Sequence, residues 1–168
     1  MKALFLVGFM GAGKSTLGKE LAQRLSWDFY DLDEEIERIH HHSIPELFSE
    51  LGETKFRVLE KEVLNGFETK TASFVLASGG GTPCFFDNME WMKKQGEVLF
   101  IDTEPRELLR RLKGKESGRP VLKSLKPERF EEEMLILLGK RRPFYLQAPW
   151  ILGKNVRNID EVIHMLNS

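Results

Sequence analysis

A phosphate-binding pattern near the N-terminus constrains the fold of this chain more than any other feature. Residues 8–15 read GFMGAGKS, which matches G-x-x-x-x-G-K-[ST] in full. An apolar run, residues 3–7, precedes the pattern, and a segment with Leu17, Leu21 and Leu25 at helical spacing follows it. The glycines allow backbone N–H groups to turn inward around an anion between a buried strand and a helix N-terminus. The sequence therefore predicts a strand–loop–helix unit that binds a nucleoside triphosphate.

Two side chains of this loop have defined chemistry. Lys14 is long enough to reach the β- and γ-phosphates, and the hydroxyl of Ser15 can ligate Mg²⁺. We expect ATP to contact the following residues: Gly11, Ala12, Gly13, Lys14, Ser15 and Thr16.

The rest of the chain alternates between apolar and amphipathic segments. We predict strands at 3–7, 27–30, 73–77, 98–101 and 150–152, and helices at about 14–25, 32–41, 44–50, 53–66, 87–94, 105–112, 127–142 and 159–167. Apolar strands with little alternation, separated by helices, are typical of a parallel sheet covered by helices on both faces. We expect one doubly wound α/β domain spanning residues 1–168, with ligands at the carboxyl ends of the strands.

The composition argues against several other classes of protein. The formal net charge of −1 gives no electrostatic reason to expect a nucleic acid or an anionic membrane as a partner. The uncharged stretch 3–13 is shorter than the ~20 apolar residues that span a bilayer. Cys84 is the one cysteine, so an intramolecular disulfide is excluded, and a packed or incidental thiol is expected. We expect a soluble, cytoplasmic protein.

Asp31 and Asp33 form a second informative cluster, directly after the predicted second strand. Two carboxylates one residue apart point the same way in an extended chain, and such proximity needs a cation or a proton-accepting role. Alone, the pair fits equally well with two exposed acids at a helix N-terminus, where the helix dipole favours them. The nearby phosphate loop favours the functional interpretation.

Four further clusters combine unusual residues. The segment 52–60, GETKFRVLE, places Arg57 in an amphipathic helix, and Gly79–Gly81 leave bare backbone that a small ligand can approach. Arg119 ends a polar, glycine-containing stretch typical of a mobile loop, and Arg141 lies near the end of a long helix. Taken singly, only the triple glycine favours a function over a surface or capping role.

Together, these motifs resemble the shikimate kinase family. The order G-x-x-G-x-G-K-S-T, D-x-D, G-E-x-x-F-R-x-x-E, G-G-G, R-P and R-x-P-x-Y resembles that family from residue 3 to about residue 148. The resemblance implies a P-loop nucleoside-triphosphate hydrolase fold of the nucleoside-monophosphate-kinase type, with a five-stranded parallel sheet. It also implies a substrate-binding segment at about 32–61 and a lid at about 113–124.

The same resemblance implies transfer of the γ-phosphoryl group of ATP to the 3-hydroxyl of shikimate. Arg57 and Arg141 would bind the shikimate carboxylate, for which a planar guanidinium is well suited. Asp33 would bond the ring hydroxyls and orient or deprotonate the nucleophile. The backbone of Gly79, Gly80 and Gly81 would lie against the ring.

The resemblance also assigns residues to the metal and the nucleotide. Ser15 directly, and Asp31 through water, would hold Mg²⁺, while Lys14 and Arg119 would stabilise charge on the transferred phosphoryl group. The arginines at the adenine would be Arg111 and Arg157. Asp102 ends a strand that superficially resembles a metal-binding one, and we expect it instead to cap the helix near Pro105.

Three departures from the family pattern are visible, and one of them is the segment 149–153, a poor strand shortened by its proline and glycine. His40–His42 stand where a polar, glycine-containing turn is usual, and we expect a solvated turn because adjacent residues on a helix or turn do not face one another. Residues 83–86, PCFF, are bulkier and more apolar than expected beside a substrate pocket.

Two alternative functions remain at this point. One is another small-molecule kinase on the same scaffold, such as a gluconate or nucleoside monophosphate kinase. The other is a nucleotide-dependent switch without catalysis, which would have no use for a second, arginine-lined anion pocket. We expect a monomer in either case.

Overall fold

The computed structural model describes residues 3–115, 118–153 and 159–166. Its strands are β1 (Ala3–Val7), β2 (Asp28–Asp31), β3 (Phe74–Ala77), β4 (Glu97–Ile101) and β5 (Trp150–Leu152). Its helices are α1 (Lys14–Leu25), α2 (Leu32–His40), α3 (Ile44–Gly66), α4 (Asn88–Gln95), α5 (Pro105–Leu112), α6 (Pro120–Lys123), α7 (Phe130–Tyr145) and α8 (Ile159–Leu166). Short 3₁₀ turns occupy Phe67–Thr69, Thr82–Cys84 and Pro127–Arg129.

The five strands form one parallel sheet in the order β2-β3-β1-β4-β5, with helices on both faces. Every residue of the central strand β1 is buried, which explains why its sequence is a continuous apolar run. Because all strands run in the same direction, the loops after β1, β2 and β3 open at one edge of the sheet. The predicted α/β fold, including its fifth strand, is confirmed.

The helix starts near that edge follow from local sequence. Gly11 and Gly13 adopt left-handed backbone angles (φ 78° and 96°), and α1 begins directly after Gly13. Asp31 caps α2 by accepting a hydrogen bond from the backbone N–H of Asp33 at 3.0 Å. Ser43 and Glu46 form a reciprocal capping box at the start of α3. The residues that begin α1 and α2 therefore also fix the shape of the phosphate loop and the orientation of the Asp31 carboxylate.

The helices predicted at 44–50 and 53–66 correspond to the two arms of α3, which meet at a kink where Gly52 is non-helical (φ 75°, ψ 167°). Two details differ from the prediction. The short helix α6 was not predicted. The predicted capping role of Asp102 is wrong: Glu104 occupies the N-cap position of α5, and the Asp102 carboxylate accepts a hydrogen bond from Arg142 at 2.6 Å. A guanidinium brought near by α7 is a stronger partner than a helix end.

Two further observations concern the character of the helices and the histidines. Among the described residues, no helix has the length and apolar character needed to cross a membrane. His41 ends α2 in a left-handed conformation, His42 Nδ1 lies 2.9 Å from the backbone oxygen of His40, and both His41 and His42 are exposed.

Gly96, between α4 and β4, generates a stability prediction. A Cβ at this position would lie 2.2 Å from the backbone oxygen of Ala3, so a neighbouring strand would have to shift. We expect Gly96→Ala to lower the free energy of unfolding by about 2–3 kcal/mol in urea titration. Gly139, in the exposed part of α7, is the matched control because a Cβ there meets nothing within 4 Å. Gly139→Ala should raise stability by about 0.5–1 kcal/mol, and equal effects of the two changes would contradict this account.

Candidate active site

The phosphate loop surrounds a buried ammonium group. Lys14 Nζ donates hydrogen bonds to the backbone oxygens of Gly8 and Phe9, at 2.8 and 2.9 Å, and the residue is 8% exposed. Burial lowers the pKa of Lys14 to about 8, against the opposing effect of Asp33 and Asp31. The ammonium group of Lys14 is therefore held inside the loop, where it can contact a phosphate.

A cleft of about 660 Å³ opens over this loop at the carboxyl edge of the sheet. The six residues at the phosphate loop that are predicted to contact ATP all line it: Gly11, Ala12, Gly13, Lys14, Ser15 and Thr16. Asp31, Asp33, Arg111 and Arg119 line it as well. The structure thus brings together a nucleotide-sized space, a phosphate loop and several charged side chains.

Ser15 and Asp31 are directly bonded in this cleft. The Ser15 hydroxyl donates to Asp31 Oδ2 at 2.5 Å, while Asp31 Oδ1 accepts the backbone N–H of Asp33. A hydroxyl and a carboxylate at this distance are two hard oxygen donors of the kind that Mg²⁺ binds in proteins. The residues present therefore fit a magnesium site beside the phosphate loop.

Asp33 has an unusual protonation equilibrium. Burial is the main cause that raises its pKa from 3.8 to about 7, and the negative charges of Asp31 and Glu60 raise it further. Lys14 and Arg57 act in the opposite direction but do not offset burial. A carboxyl group with a pKa near neutrality is suited to accept and release protons under physiological conditions.

A second cavity, of about 290 Å³, lies beside the first. Arg57, Arg141 and Gly79–Gly81 line it, together with Phe48 and Phe56. It is therefore a partly apolar space that contains two buried guanidinium groups, a combination that suits a small carbocyclic acid.

Arg57 is held by two carboxylates in this cavity. Its Nη1 donates to the Glu60 carboxylate at 3.0 Å, and its Nη2 donates to Glu53 Oε1 at 3.1 Å. Glu60 is 1% exposed and also accepts a hydrogen bond from the Thr82 hydroxyl at 2.7 Å, whereas the Glu53 side chain is 51% exposed. The inner carboxylate is thus fixed and the outer one borders solvent.

Gly81 lies directly against the guanidinium of Arg57. A Cβ at Gly81 would lie 2.5–2.8 Å from Arg57 Nη2, Cζ and Nη1, which places it over the flat face of the group. Any larger residue at position 81 would displace Arg57. The triple glycine therefore allows close approach of a side chain of the protein.

Arg141 and Tyr145 come from successive turns of α7. Arg141 is 6% exposed, and its Nη1 is buried without a hydrogen-bond partner among the described residues. The Tyr145 hydroxyl donates to the backbone oxygen of Gly80 at 2.6 Å. An unpaired buried guanidinium donor is costly, so an anion bound in the cavity would satisfy it.

The two cavities meet at the same residues. Met10, Asp33, Gly79, Gly80 and Arg119 line both. A group bound by the phosphate loop and a small acid bound by the arginines would therefore both reach Asp33. This arrangement is suited to transfer of a phosphoryl group between two ligands.

Three arginines complete the predicted site, and the structure describes two of them. Arg119, half-buried, lines both cavities, and its Nη1 donates to the backbone oxygen of Lys115 at 3.2 Å. Arg111 Nη1 donates to the Gly11 oxygen at 2.9 Å, and its Nε donates to Glu107, so its guanidinium lies at the edge of the cleft. Arg157 lies outside the described residues.

Cys84 lies in a setting that disfavours a reactive thiol. It is partly buried, and burial raises the pKa of its thiol to about 11. A thiol with such a pKa is almost entirely protonated at neutral pH.

Sequence reasoning assigned no role to Glu60, Thr82 or Tyr145. Glu60 follows Arg57 by three positions, and this helical spacing was a usable signal because such residues share a face. Tyr145 follows Arg141 by four positions within the R-x-P-x-Y motif, which was also a usable signal, whereas Thr82 offered none, since its contact joins elements distant along the chain.

Comparison with known proteins decides between the candidate kinases. Residues 10–167 match the sequence profile of the shikimate kinase family. The chain belongs to the shikimate kinase family. A shikimate kinase of Bacteroides fragilis is 46% identical over 151 residues, covering 90% of this chain and 84% of the relative. One from Persephonella marina is 40% identical over 148 residues, covering 88% and 86%.

Solved structures agree with this assignment. A shikimate kinase from Bacteroides thetaiotaomicron superposes with a TM-score of 0.85 at 39% identity, covering 99% of this chain and 96% of that chain. One from Acinetobacter baumannii in complex with shikimate gives 0.86 at 34% identity, covering 99% and 91%. A deoxyadenosine kinase with bound dATP, at 15% identity and a TM-score of 0.61, shows a shared fold only.

The predictions of family, fold and activity are thereby confirmed. The activity is ATP-dependent phosphorylation of the 3-hydroxyl of shikimate, a step toward chorismate and the aromatic amino acids. The enzyme is a phosphotransferase that takes ATP and a small molecule as substrates. A nucleotide-dependent switch without catalysis does not fit this family, and neither does a gluconate or nucleoside monophosphate kinase.

The pKa of Asp33 generates a prediction for stability against pH. Because the folded state raises that pKa from 3.8 to about 7, it binds a proton more tightly than the unfolded chain does. The stabilisation from this protonation is present at low pH and is lost as pH rises from about 4 to about 7. The neutral variant Asp33→Asn should therefore gain Tm relative to wild type between about pH 5 and about pH 8.

The control for this experiment is Asp28→Asn, which changes an exposed carboxylate at the start of β2. Its difference in Tm from wild type should change little across the same range. A pH-independent difference for Asp33→Asn would show that its carboxyl group titrates normally in the fold.

Proposed function

We propose that the larger cleft is the ATP site and the arginine-lined cavity is the shikimate site, with Asp33 between them. The observation that carries this proposal is that Asp33 and Arg119 line both spaces. A phosphoryl donor and its acceptor must approach within contact distance, and a shared boundary provides that approach.

Arg57 and Arg141 bind the shikimate carboxylate in this proposal. Arg141 offers a buried donor without a partner. Arg57 is already engaged by Glu60 and Glu53, and the half-exposed Glu53 is the one that a substrate carboxylate would replace. Charge-assisted hydrogen bonds from two guanidinium groups would then orient the ring, with the backbone of Gly79–Gly81 beside it.

Asp33 accepts the proton of the 3-hydroxyl as the phosphoryl group is transferred. Its pKa of about 7 leaves a substantial ionised fraction near neutrality and makes proton uptake favourable. Lys14, inside the phosphate loop, and Arg119, at the boundary, stabilise the charge on the phosphoryl oxygens. Arg111 and Arg157 are the proposed adenine contacts.

Ser15 and Asp31 are the residues that would hold Mg²⁺, Ser15 directly and Asp31 through water. Their direct hydrogen bond holds two oxygen atoms of the kind that Mg²⁺ binds close together beside the phosphate loop. When bound, the ion would supply positive charge that neutralises the phosphate oxygens. Asp31 also caps α2, so the helix fixes its orientation independently of the metal.

The predicted single domain, with a substrate-binding segment at about 32–61 and a lid at about 113–124, is consistent with this mechanism. The described part of the lid contains α6, whose Leu122 is buried, and Arg119, which is half-buried at the boundary of the two cavities. Closure of this segment would exclude water and limit ATP hydrolysis. A monomer in the cytoplasm, without nucleic acid or membrane partners, remains our expectation.

The function is tested by ADP release from Mg²⁺·ATP in the presence of shikimate, gluconate or nucleoside monophosphates, with a control that lacks an acceptor. We expect turnover with shikimate alone, because only a small carboxylated ring uses both arginines. Turnover with a different acceptor would contradict the assignment of the smaller cavity. ATP binding without turnover on any acceptor would return the switch interpretation.

Arg57→Ala tests the site assignment directly. Loss of a charge-assisted contact should weaken shikimate binding by about tenfold to a hundredfold, measured by calorimetry, while ATP binding persists. Persistent ATP binding also shows that the variant folds. Arg129→Ala is the control, since Arg129 is an exposed arginine paired with Glu132 outside both cavities. Equal loss of both ligands on Arg57→Ala would mean that Arg57 is structural.

A further inference from the structure

The orientation of the Arg57 guanidinium must be maintained while one of its hydrogen-bond partners is exchanged for the substrate. Its N–H groups contact Glu60 and Glu53, and in the proposed function the substrate carboxylate replaces Glu53. While that exchange occurs, hydrogen bonds on the outer side of the group are broken and remade. A contact that does not use the N–H groups would keep the guanidinium in place throughout.

Phe85 provides such a contact. The centroid of its ring lies 4.4 Å from Arg57 Cζ, closer than the rings of Phe56 and Phe48 at 5.4 and 5.6 Å. A cation held near an aromatic face is attracted by the ring quadrupole, and this attraction is stronger where the cation is removed from water. Arg57 is 4% exposed, so the stronger case applies.

The position of Phe85 is itself fixed by a hydrogen-bonded turn that is anchored on a buried asparagine. Asn88, which is fully buried, donates from Nδ2 to the backbone oxygen of Thr82 at 2.9 Å and from its backbone N–H to the oxygen of Phe85 at 3.3 Å. Cys84 donates its backbone N–H to the oxygen of Gly81 at 2.9 Å. The ring therefore projects from a turn tied directly to the triple glycine.

Gly81 and Phe85 act on the same guanidinium. The backbone of Gly81 lies against the flat face of Arg57, as the 2.5–2.8 Å distances from a Cβ at that position indicate. Thr82, the next residue, bonds the inner carboxylate of Glu60. One short segment, residues 81–85, thus contacts Arg57 through its backbone and through an aromatic ring. The same segment holds Glu60, the inner carboxylate that pairs with Arg57.

We propose that Phe85 is a positioning residue for substrate binding, whose ring holds the Arg57 guanidinium in place while a substrate carboxylate replaces Glu53. This inference rests on the proposed function of Arg57. It gives a purpose to Phe85, one of the bulky apolar residues at 83–86 that the motif pattern did not explain.

The test compares Phe85→Leu with Phe86→Leu by steady-state kinetics and Tm. Both changes replace a phenylalanine by a smaller apolar side chain, but Phe86 is 58% exposed and contacts Lys61, not Arg57. We expect Phe85→Leu to raise the KM for shikimate about three- to tenfold, with kcat and the KM for ATP near wild type. Phe86→Leu should leave all three unchanged, and Phe85→Tyr should restore the KM for shikimate.

Shikimate methyl ester, used as a competing ligand, separates positioning from general loss of packing. The ester lacks the negative charge, so Phe85→Leu should weaken shikimate binding more than ester binding. Equal weakening of both ligands, an unchanged KM for shikimate, or failure of Phe85→Tyr to restore it would overturn the inference. Should Phe85→Leu fail to fold, Phe85→Met makes the same comparison with a flexible side chain.

Arg57→Ala distinguishes failure of this inference from failure of the proposed function. If Arg57→Ala loses shikimate affinity and Phe85→Leu does not, the role of Arg57 stands and that of Phe85 falls. If Arg57→Ala keeps shikimate affinity, the substrate site itself is misassigned. In the double variant Phe85→Leu/Arg57→Ala, we expect no further loss beyond Arg57→Ala, because Phe85 acts through Arg57.

Discussion

The burial of opposite charges in one small volume is the constraint on which the rest of this structure depends. Lys14, Arg57 and Arg141 are nearly inaccessible to solvent, and Glu60 is buried with them. A buried ion is tolerated only when a partner and further hydrogen bonds compensate for lost hydration. The carboxyl edge of a parallel sheet meets this requirement, since several loops supply backbone oxygens and side chains to one place.

The same burial determines how each charge behaves. It lowers the pKa of Lys14 and raises that of Asp33, moving both toward neutrality from opposite sides. The guanidinium of Arg57 is paired with two carboxylates, Glu60 and Glu53. The site therefore combines two groups whose pKa values burial moves toward neutrality with an arginine that is paired with carboxylates.

Much of the fold was predictable because its signals are local. The apolar run of β1, the phosphate loop and the start of α1 follow from adjacent residues, and the kink at Gly52 lies between the two helices that the sequence indicated. The partner of Asp102 was not predictable, because Arg142 approaches it only once α7 packs. Local capping rules do not include such a long-range competitor.

The candidate site divides in the same way. Residues that carry their own chemistry, such as Asp33, Arg57 and Arg141, were found from motifs and lie together around two adjoining cavities. Thr82, Phe85 and Tyr145 act through other groups: a carboxylate, a guanidinium and a backbone oxygen. Such indirect contacts depend on tertiary placement, and of the three residues only Tyr145 had a signal along the chain, its spacing from Arg141.

The pairing of Arg141 and Tyr145 on α7 has a consequence for how proteins of this architecture can vary. The two residues are four positions apart, so one helical turn orients both a cavity guanidinium and the hydroxyl that bonds Gly80. An insertion or deletion of one residue between them would rotate one relative to the other by roughly 100°. Variation in length is thus more readily accommodated in exposed loops than in this last turn of α7, where the spacing of Arg141 and Tyr145 fixes both of their orientations.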